Sequence, residues 1–441
     1  MSRYKSKSLS LLAISSVLVL SAAHADEARW WRGNTHTHSW WSDGDAPPET
    51  IADWYKSQGY QFLVISDHNT MQRGEKWYPV DQPPRRPDAV RAAFDHYTEQ
   101  FGEDWVEIRG EPGEREVRLK TLNEFRPLFE EAGRFLFING EEITDRHEHH
   151  PVHLNGVNLV DLIEPQGGDS VVDTIQNNLD AVVEQSRRHA QPMVVHLNHP
   201  NFHFAVTAED FFELDYESGD GFFEMYNGHS SVHNNGDAER VSAERLWDIV
   251  LSNRLGTYQR SVIYGVATDD AHEYNNWGPG FTNPGRGWIM VRSTHLTPNR
   301  ITAAIRRGDF YNSTGVELDA LEIDESGIRL SVDEKPGVKY TIEFVGTRQG
   351  TDLTPIDGPE TPGGDTDEPP RSVYSYSEEI GEVLARMDGP DARYRVRGDE
   401  LYVRARVISS REHGNPFAQG DVEMAWTQPI VVRGDSTGEN Q

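Results

Sequence analysis

RGNTHTH (residues 32–38), which opens the stretch RGNTHTHSWWSDG (32–44), is a short run that ends in two histidines one residue apart, followed five residues later by Asp43. On an extended strand, alternation places residues i and i+2 on one face, so His36 and His38 project together. FLVISDH (62–68) ends the same way, with Asp67-His68 after an apolar stretch. Five more runs follow: FLFINGEE (135–142), VHLNGVNL (152–159), MVVHLNHP (193–200), FFEMYNG (222–228) and VIYGVATDDAH (262–272). Each reads as a short buried strand, and most end in polar or ionisable residues. Helical patterns fill several gaps. One opens at Pro47-Pro48-Glu49 and stops at Gly59, a second runs over 172–186 with Val172, Ile175, Leu179 and Val182 in period, and a third spans 239–254. Strands alternating with helices predict an α/β class with a parallel sheet, open or closed.

Residues 70–120 break this rhythm with Pro79, Pro83, Pro84, Pro87 and many charges, and read as an insertion or lid. After Gly315 the pattern turns to strand-like runs, predicting a small, sandwich-like all-β domain over 316–434 and a polar tail at 435–441. At the other end, Arg3, Lys5 and Lys7 precede the apolar stretch 9–23 and Ala23-His24-Ala25. This predicts a signal peptide over 1–25, hence export to the periplasm or outside, with no membrane span in the mature chain. An uncleaved anchor fits the basic flank and the small-residue cleavage site less well.

The 441 residues carry 42 Lys and Arg against 72 Asp and Glu, a net charge of −30, and no cysteine. Such acidity excludes a broad basic face for nucleic acid but not a local cationic pocket. Without cysteine there are no disulfides, thiolate ligands or thiol nucleophile. The 18 histidines are not scattered. His36, His38, His68, Glu142, His153, His199, Asp270 and His272 stand at or near run ends, with Asp43 just beyond the first. In α/β barrels that end of the strands builds the active site. Imidazoles with carboxylates and no thiolates suit Zn, Mn or Fe in a hydrolytic site. Asp67-His68 and Asp269-Asp270-Ala271-His272 place a second carboxylate beside an imidazole, where it could orient a ligand.

His36-Thr37-His38-Ser39-Trp40-Trp41-Ser42-Asp43-Gly44 and Ile65-Ser66-Asp67-His68-Asn69 resemble the opening signature of the PHP (polymerase and histidinol phosphatase) superfamily. Gly140-Glu141-Glu142-Ile143, His199-Pro200 and Thr268-Asp269-Asp270-Ala271-His272 resemble its later motifs in the same order, over about residues 30–315. Gly285-Arg286-Gly287-Trp288, Leu296-Thr297-Pro298, residues 307–315 and Ala425-Trp426-Thr427-Gln428-Pro429-Ile430 resemble the CehA/McbA-like metallohydrolase branch. The resemblance implies a distorted (β/α)7 PHP barrel over 26–315 and two or three divalent metal ions. His36, His38, Glu142 and Asp270 would hold the first, Asp43, His68 and His272 the second, and Glu142, His153 and His199 the third. His153 is preferred over His147, His149 and His150 because it opens an apolar segment.

His196 reads as structural or as supporting a ligand, and Glu224 as lining the pocket or contacting a ligand histidine. Trp40 and Trp41 could pack beneath the mouth or wall a substrate group. His203, His229 and His233 read as exposed loop residues. PHP phosphoesterases often carry a basic residue soon after His-Pro, whereas here Asn201 and Phe202 follow, leaving Arg286 as a candidate phosphate ligand. Asp67 or Asp269 could orient an imidazole or accept a proton. The expected activity is hydrolysis of a small-molecule phosphoester by a metal-shared hydroxide. A carbamate or carboxylic ester hydrolase on the same site is the alternative. A third reading is a non-enzymatic metal- or carbohydrate-binding protein using Tyr340, Tyr374 or Trp426.

Overall fold

The computed structural model describes residues 27–216, 221–358, 371 and 373–432. The expected signal peptide and the polar tail lie outside them. The class is mixed α/β, with seven helices among the described residues. Helix Pro48–Ser57 starts with proline at its first turn, where the missing N–H costs nothing, and buries Ile51, Ala52 and Tyr55. Helix Val171–His189 is capped by Ser170, whose hydroxyl accepts from the Asp173 amide, and carries Arg187, Arg188 and His189 at its negative end. The third expected helix begins at Ala243 because Ser242 takes the capping position, and it runs to Gly256.

Two sheets carry the site. In one, strands Arg29–Asn34, Phe62–Leu63 and Leu136–Phe137 lie parallel, with Trp288–Ser293 antiparallel on the far side of Arg29–Asn34. In the other, Val194–Leu197, Gly221–Asn227 and Ile263–Thr268 lie parallel. The sheets approach through two single parallel bridges, Thr37 with Ala271 and His68 with Glu142. Main-chain bonds at the first, from His38 N to Ala271 O (2.9 Å) and from Asp270 N to His36 O (3.0 Å), tie two histidine-bearing ends together.

One expected strand differs in direction. Residues 150–157 form the second arm of a hairpin with Gly140–His147 and run antiparallel to both that strand and Val194–Leu197. No helix separates the two arms, so the sheet is mixed. An antiparallel strand presents its beginning where its neighbours present their ends. This is why His153 opens its apolar run instead of closing it, and why it lies opposite Thr144.

The 70–120 segment is itself folded. Trp77–Pro79, Ile108–Arg109 and Glu116–Arg118 make a three-stranded sheet beside helix Pro87–Phe101. Val90, Phe94, Tyr97 and Val117 join the core around Trp40, Ile51 and Tyr55. The C-terminal β region is joined to the α/β part by main chain. Strand Phe310–Ser313 pairs with both Trp288–Ser293 and Val422–Thr427, so one sheet runs across the boundary expected at 315/316. One apolar cluster likewise holds Trp40 and Phe125 together with Phe344 and Val403. Arg404, fully buried, reaches Asp248 at 2.7 Å and Glu244 at 2.8 Å, both on helix Ala243–Gly256. No helix among the described residues is long and apolar enough to cross a membrane.

Candidate metal centre

The nine candidate ligands, spread over 237 residues of chain, converge. His36 Nε2 lies 3.1 Å from His38 Nε2, 3.2 Å from Asp270 Oδ1 and 3.4 Å from Glu142 Oε1. His38 Nε2 is 3.1 Å from the same Asp270 oxygen and 3.5 Å from Glu142 Oε2. A second group forms around Asp43 Oδ1, which stands 3.2 Å from His272, 3.5 Å from His68 and 3.7 Å from His38. The third joins Glu142 with His68 at 2.7 Å, His153 at 3.2 Å and His199 at 3.3 Å. Glu142 thus belongs to the first and third groups, and His68 to the second and third.

Sequence places each ligand locally. Alternation puts His36 and His38 on one face of the extended chain after Asn34, and a tight turn then returns Asp43 to them. Gly44 permits that turn, because a side chain there would meet the His38 carbonyl at 2.4 Å. His199 (φ 25°) and Asp270 (φ 47°) hold left-handed backbone without being glycine. Such conformations cost on the order of 1–3 kcal/mol each and persist where surrounding structure overrides them, most often at functional sites.

Electrostatics distinguish the groups. His36 is fully buried, which alone would lower its pKa, but Asp270, Glu224 and Glu142 raise it well above the imidazole value. Burial and the neighbouring His272 and His68 push His38 down to about 3. His68 rises to about 9 despite burial, through Glu142 and Asp43. Burial would raise Asp43, Glu142 and Asp270, yet the histidines hold all three well below the carboxylate range. Asp43 Oδ1, Glu142 Oε2, Asp270 Oδ1 and His153 Nδ1 are buried without a hydrogen-bond partner. Unpartnered buried polar atoms are costly. Here the three carboxylate oxygens face imidazole nitrogens and His153 Nδ1 faces Glu142 Oε1 across short gaps, an arrangement that a divalent cation satisfies. The donors, all nitrogen and oxygen, fit Zn, Mn or Fe.

Supporting residues fix these donors. Glu224 Oε1 accepts from His36 Nδ1 (2.6 Å) and the Thr268 hydroxyl (2.8 Å). Its Oε2 accepts from the His199 amide (2.9 Å) and Asn227 Nδ2 (2.8 Å). Of the two readings left open by sequence, the ligand-histidine contact is the one observed. His196 sits behind, with Nε2 3.1 Å from the Thr35 hydroxyl, and burial lowers it to about 4.

The three residues expected near the chemistry have other partners. Asp67 accepts from Ser39 N and Oγ, Ser42 Oγ and Gln72 Nε2, bracing the turn that carries Asp43. Asp269 accepts from the Tyr55 hydroxyl and the amides of Arg286 and Gly287. Arg286 is enclosed, and its guanidinium donates to the carbonyls of Gly228, Gly278 and Phe281. None of the three bonds a ligand histidine directly, and the buried Arg286 guanidinium ties the loop that follows His272 to the chain just after strand Gly221–Asn227.

Trp40 and Trp41 are buried, at 0% and 3% exposure. Trp40 stacks on Tyr78 at 5.0 Å, so packing is the role that the structure gives it. His229, expected in an exposed loop, is partly buried with its ring 5.1 Å from that of His272. Its Nδ1 accepts from the Ser231 amide, and burial lowers it to about 3. His203 lies against Phe202, and His233 against Phe204.

Sequence reasoning passed over Asn198, Asn227, Thr144 and Arg85. Asn198 Nδ2 donates to Glu142 Oε1 at 2.8 Å, Asn227 Nδ2 reaches Asp270 Oδ2 at 3.1 Å, and Thr144 Oγ1 stands 2.6 Å from His68 Nδ1. Asn198 and Asn227 end apolar runs, which was a usable signal. Arg85, from the inserted segment, binds Asp43 Oδ2.

No family model and no curated protein sequence matches the chain. Solved structures do. One is a two-domain protein from Bacteroides vulgatus described as containing a predicted PHP-like metal-dependent phosphoesterase, at 12% identity. It covers 91% of this chain and 96% of its own, with a TM-score of 0.35. Another is an amidohydrolase from Chromobacterium violaceum with bound sulfate and no metal, at 11% identity. It covers 55% and 90%, with a TM-score of 0.28. TM-scores this low carry no weight for fold or activity, which rest on the geometry above.

Proposed function

We propose that this chain is a metal-dependent hydrolase built on a distorted seven-stranded PHP-type barrel of the CehA/McbA-like branch, acting on a small-molecule phosphoester. The observation that carries the reading is the convergence of nine histidine and carboxylate side chains, with Glu142 shared between two groups and Asp43 Oδ1 facing three imidazoles. Two or three divalent cations, when bound, supply a water ionised near pH ~7 and a Lewis acid for the ester oxygen. The chain's own residues do the rest. Glu224 holds His36 with its proton on Nδ1, leaving Nε2 free to ligate. Asn198 and Asn227 orient Glu142 and Asp270. Asp67 and Asp269 position the turns that bear Asp43 and Asp270. No nucleophilic serine or cysteine is required, in keeping with the absence of cysteine. The basic, then apolar N-terminus supports export.

A carbamate or carboxylic ester hydrolase is a second reading, favoured by the burial of Arg286, whose two terminal nitrogens are bonded to backbone carbonyls. The test is elemental analysis of the purified protein with parallel assays of nitrophenyl phosphate, bis-nitrophenyl phosphate and a naphthyl carbamate. Chelation should abolish turnover, added Zn, Mn or Fe should restore it, and His36→Ala and Asp270→Ala should lose it while keeping the circular dichroism of the parent. Undiminished activity in metal-stripped protein would defeat the reading.

A further inference from the structure

We infer that Arg85, delivered by the inserted segment, reads an anionic oxygen on the substrate beside the metal centre. This rests on the hydrolase reading above and adds the residue that recognises substrate charge. Three observations carry it. Arg85 Nη1 donates to Asp43 Oδ2, the oxygen turned away from the imidazoles, while Asp43 Oδ1 faces His38, His68 and His272. The guanidinium therefore sits one carboxylate away from the ligand cluster. Second, the Arg85 side chain is 63% exposed. A guanidinium has five N–H donors in a flat fork, and the Asp43 contact uses one. The other donors are left for solvent or an anion, and a guanidinium fork suits carboxylate or phosphate oxygens.

Third, the segment is anchored at this place. Arg86 Nη1 donates to the Asp43 carbonyl at 2.8 Å, and its Nε lies 3.3 Å from Glu273, one residue past His272. Prolines at 83, 84 and 87, each with its own φ fixed by the ring, flank the two arginines and limit the backbone freedom of the segment that carries them. Helix Pro87–Phe101 then packs into the core through Val90, Phe94 and Tyr97. An ion pair made by so exposed an arginine contributes little to stability, so its donors can turn to a bound anion at small cost. The cation expected for this task, Arg286, is enclosed, and in a chain of net charge −30 an anion at the mouth needs a local positive partner.

The test compares the wild type with Arg85→Gln and Arg85→Lys, each metal-loaded and checked for metal content. Inorganic phosphate is titrated calorimetrically, and nitrophenyl phosphate and neutral nitrophenyl acetate are assayed. Removing a charge-assisted hydrogen bond should weaken phosphate binding by about tenfold to a hundredfold in Arg85→Gln. KM for nitrophenyl phosphate should rise by a similar factor with a smaller change in kcat. Metal content should be retained, any loss on nitrophenyl acetate should be at least about tenfold smaller than that on nitrophenyl phosphate, and Arg85→Lys should recover part of the phosphate loss. Unchanged phosphate affinity in Arg85→Gln, or a wild type that binds no phosphate, overturns the inference. So does an equal loss on the neutral ester or a loss of metal, either of which reduces Arg85 to a prop for Asp43. Arg85-dependent phosphate binding without phosphoester turnover upholds the inference and defeats the phosphoesterase reading alone.

Discussion

Glu224→Gln tests whether the residues behind the cluster set its metal affinity. Glu224 is fully buried and receives four donors, two on each oxygen: His36 Nδ1 and the Thr268 hydroxyl on one, the His199 amide and Asn227 Nδ2 on the other. Glutamine keeps the shape but must turn an NH2 toward one pair. If the NH2 faces His36, the imidazole must move its proton to Nε2, the nitrogen directed at His38, Asp270 and Glu142, and it can no longer ligate. If it faces the other way, two donors meet the backbone amide of His199 and the side chain of Asn227. Either orientation loses a charge-assisted bond of about 1.5–3 kcal/mol, or about tenfold to a hundredfold in metal affinity. The assay is competition of the metal-free protein with a chromophoric chelator for Zn or Mn, with far-ultraviolet circular dichroism as the fold control. Affinity equal to that of the parent, with the fold intact, would show that Glu224 does not act through His36.

Two further outcomes follow from burial and charge. In the metal-free protein His68 is raised to about 9 from an unfolded value of 6.5. The stability it contributes is fully present below pH 6.5 and is lost as the pH rises through 9. The melting temperature of metal-free protein should therefore fall across that range, with proton release on metal uptake measurable in the same window; a flat profile would contradict it. Trp40→Ala removes a fully buried indole stacked on Tyr78 and should cost about 3–5 kcal/mol in denaturant unfolding. A cost below about 1 kcal/mol would mean that the inserted segment does not share the core.

The chain by itself determined which side chains could gather. Strand alternation puts His36 and His38 on one face whatever the fold, and the ends of apolar runs single out His68, His199, Asp270 and His272 because parallel strands deliver their ends to one side; Glu142 ends the run 135–142 in sequence but stands near the start of strand Gly140–His147. Helix limits were readable where proline and glycine punctuate them, as at Pro48 and Gly59. Tertiary structure decided what these local rules do not encode. An apolar run has no direction, so only pairing revealed that 150–157 runs antiparallel and offers its beginning to the site. Charge in a sequence has no depth, so Arg286 read as a candidate phosphate ligand, yet it is buried on three carbonyls, while Arg85, 42 residues from Asp43, was one of many charges in the 70–120 insertion. Periodicity follows from the covalent geometry of neighbouring residues. Burial and long-range pairing depend on which distant surfaces exclude water together, and that is fixed only when the whole chain packs.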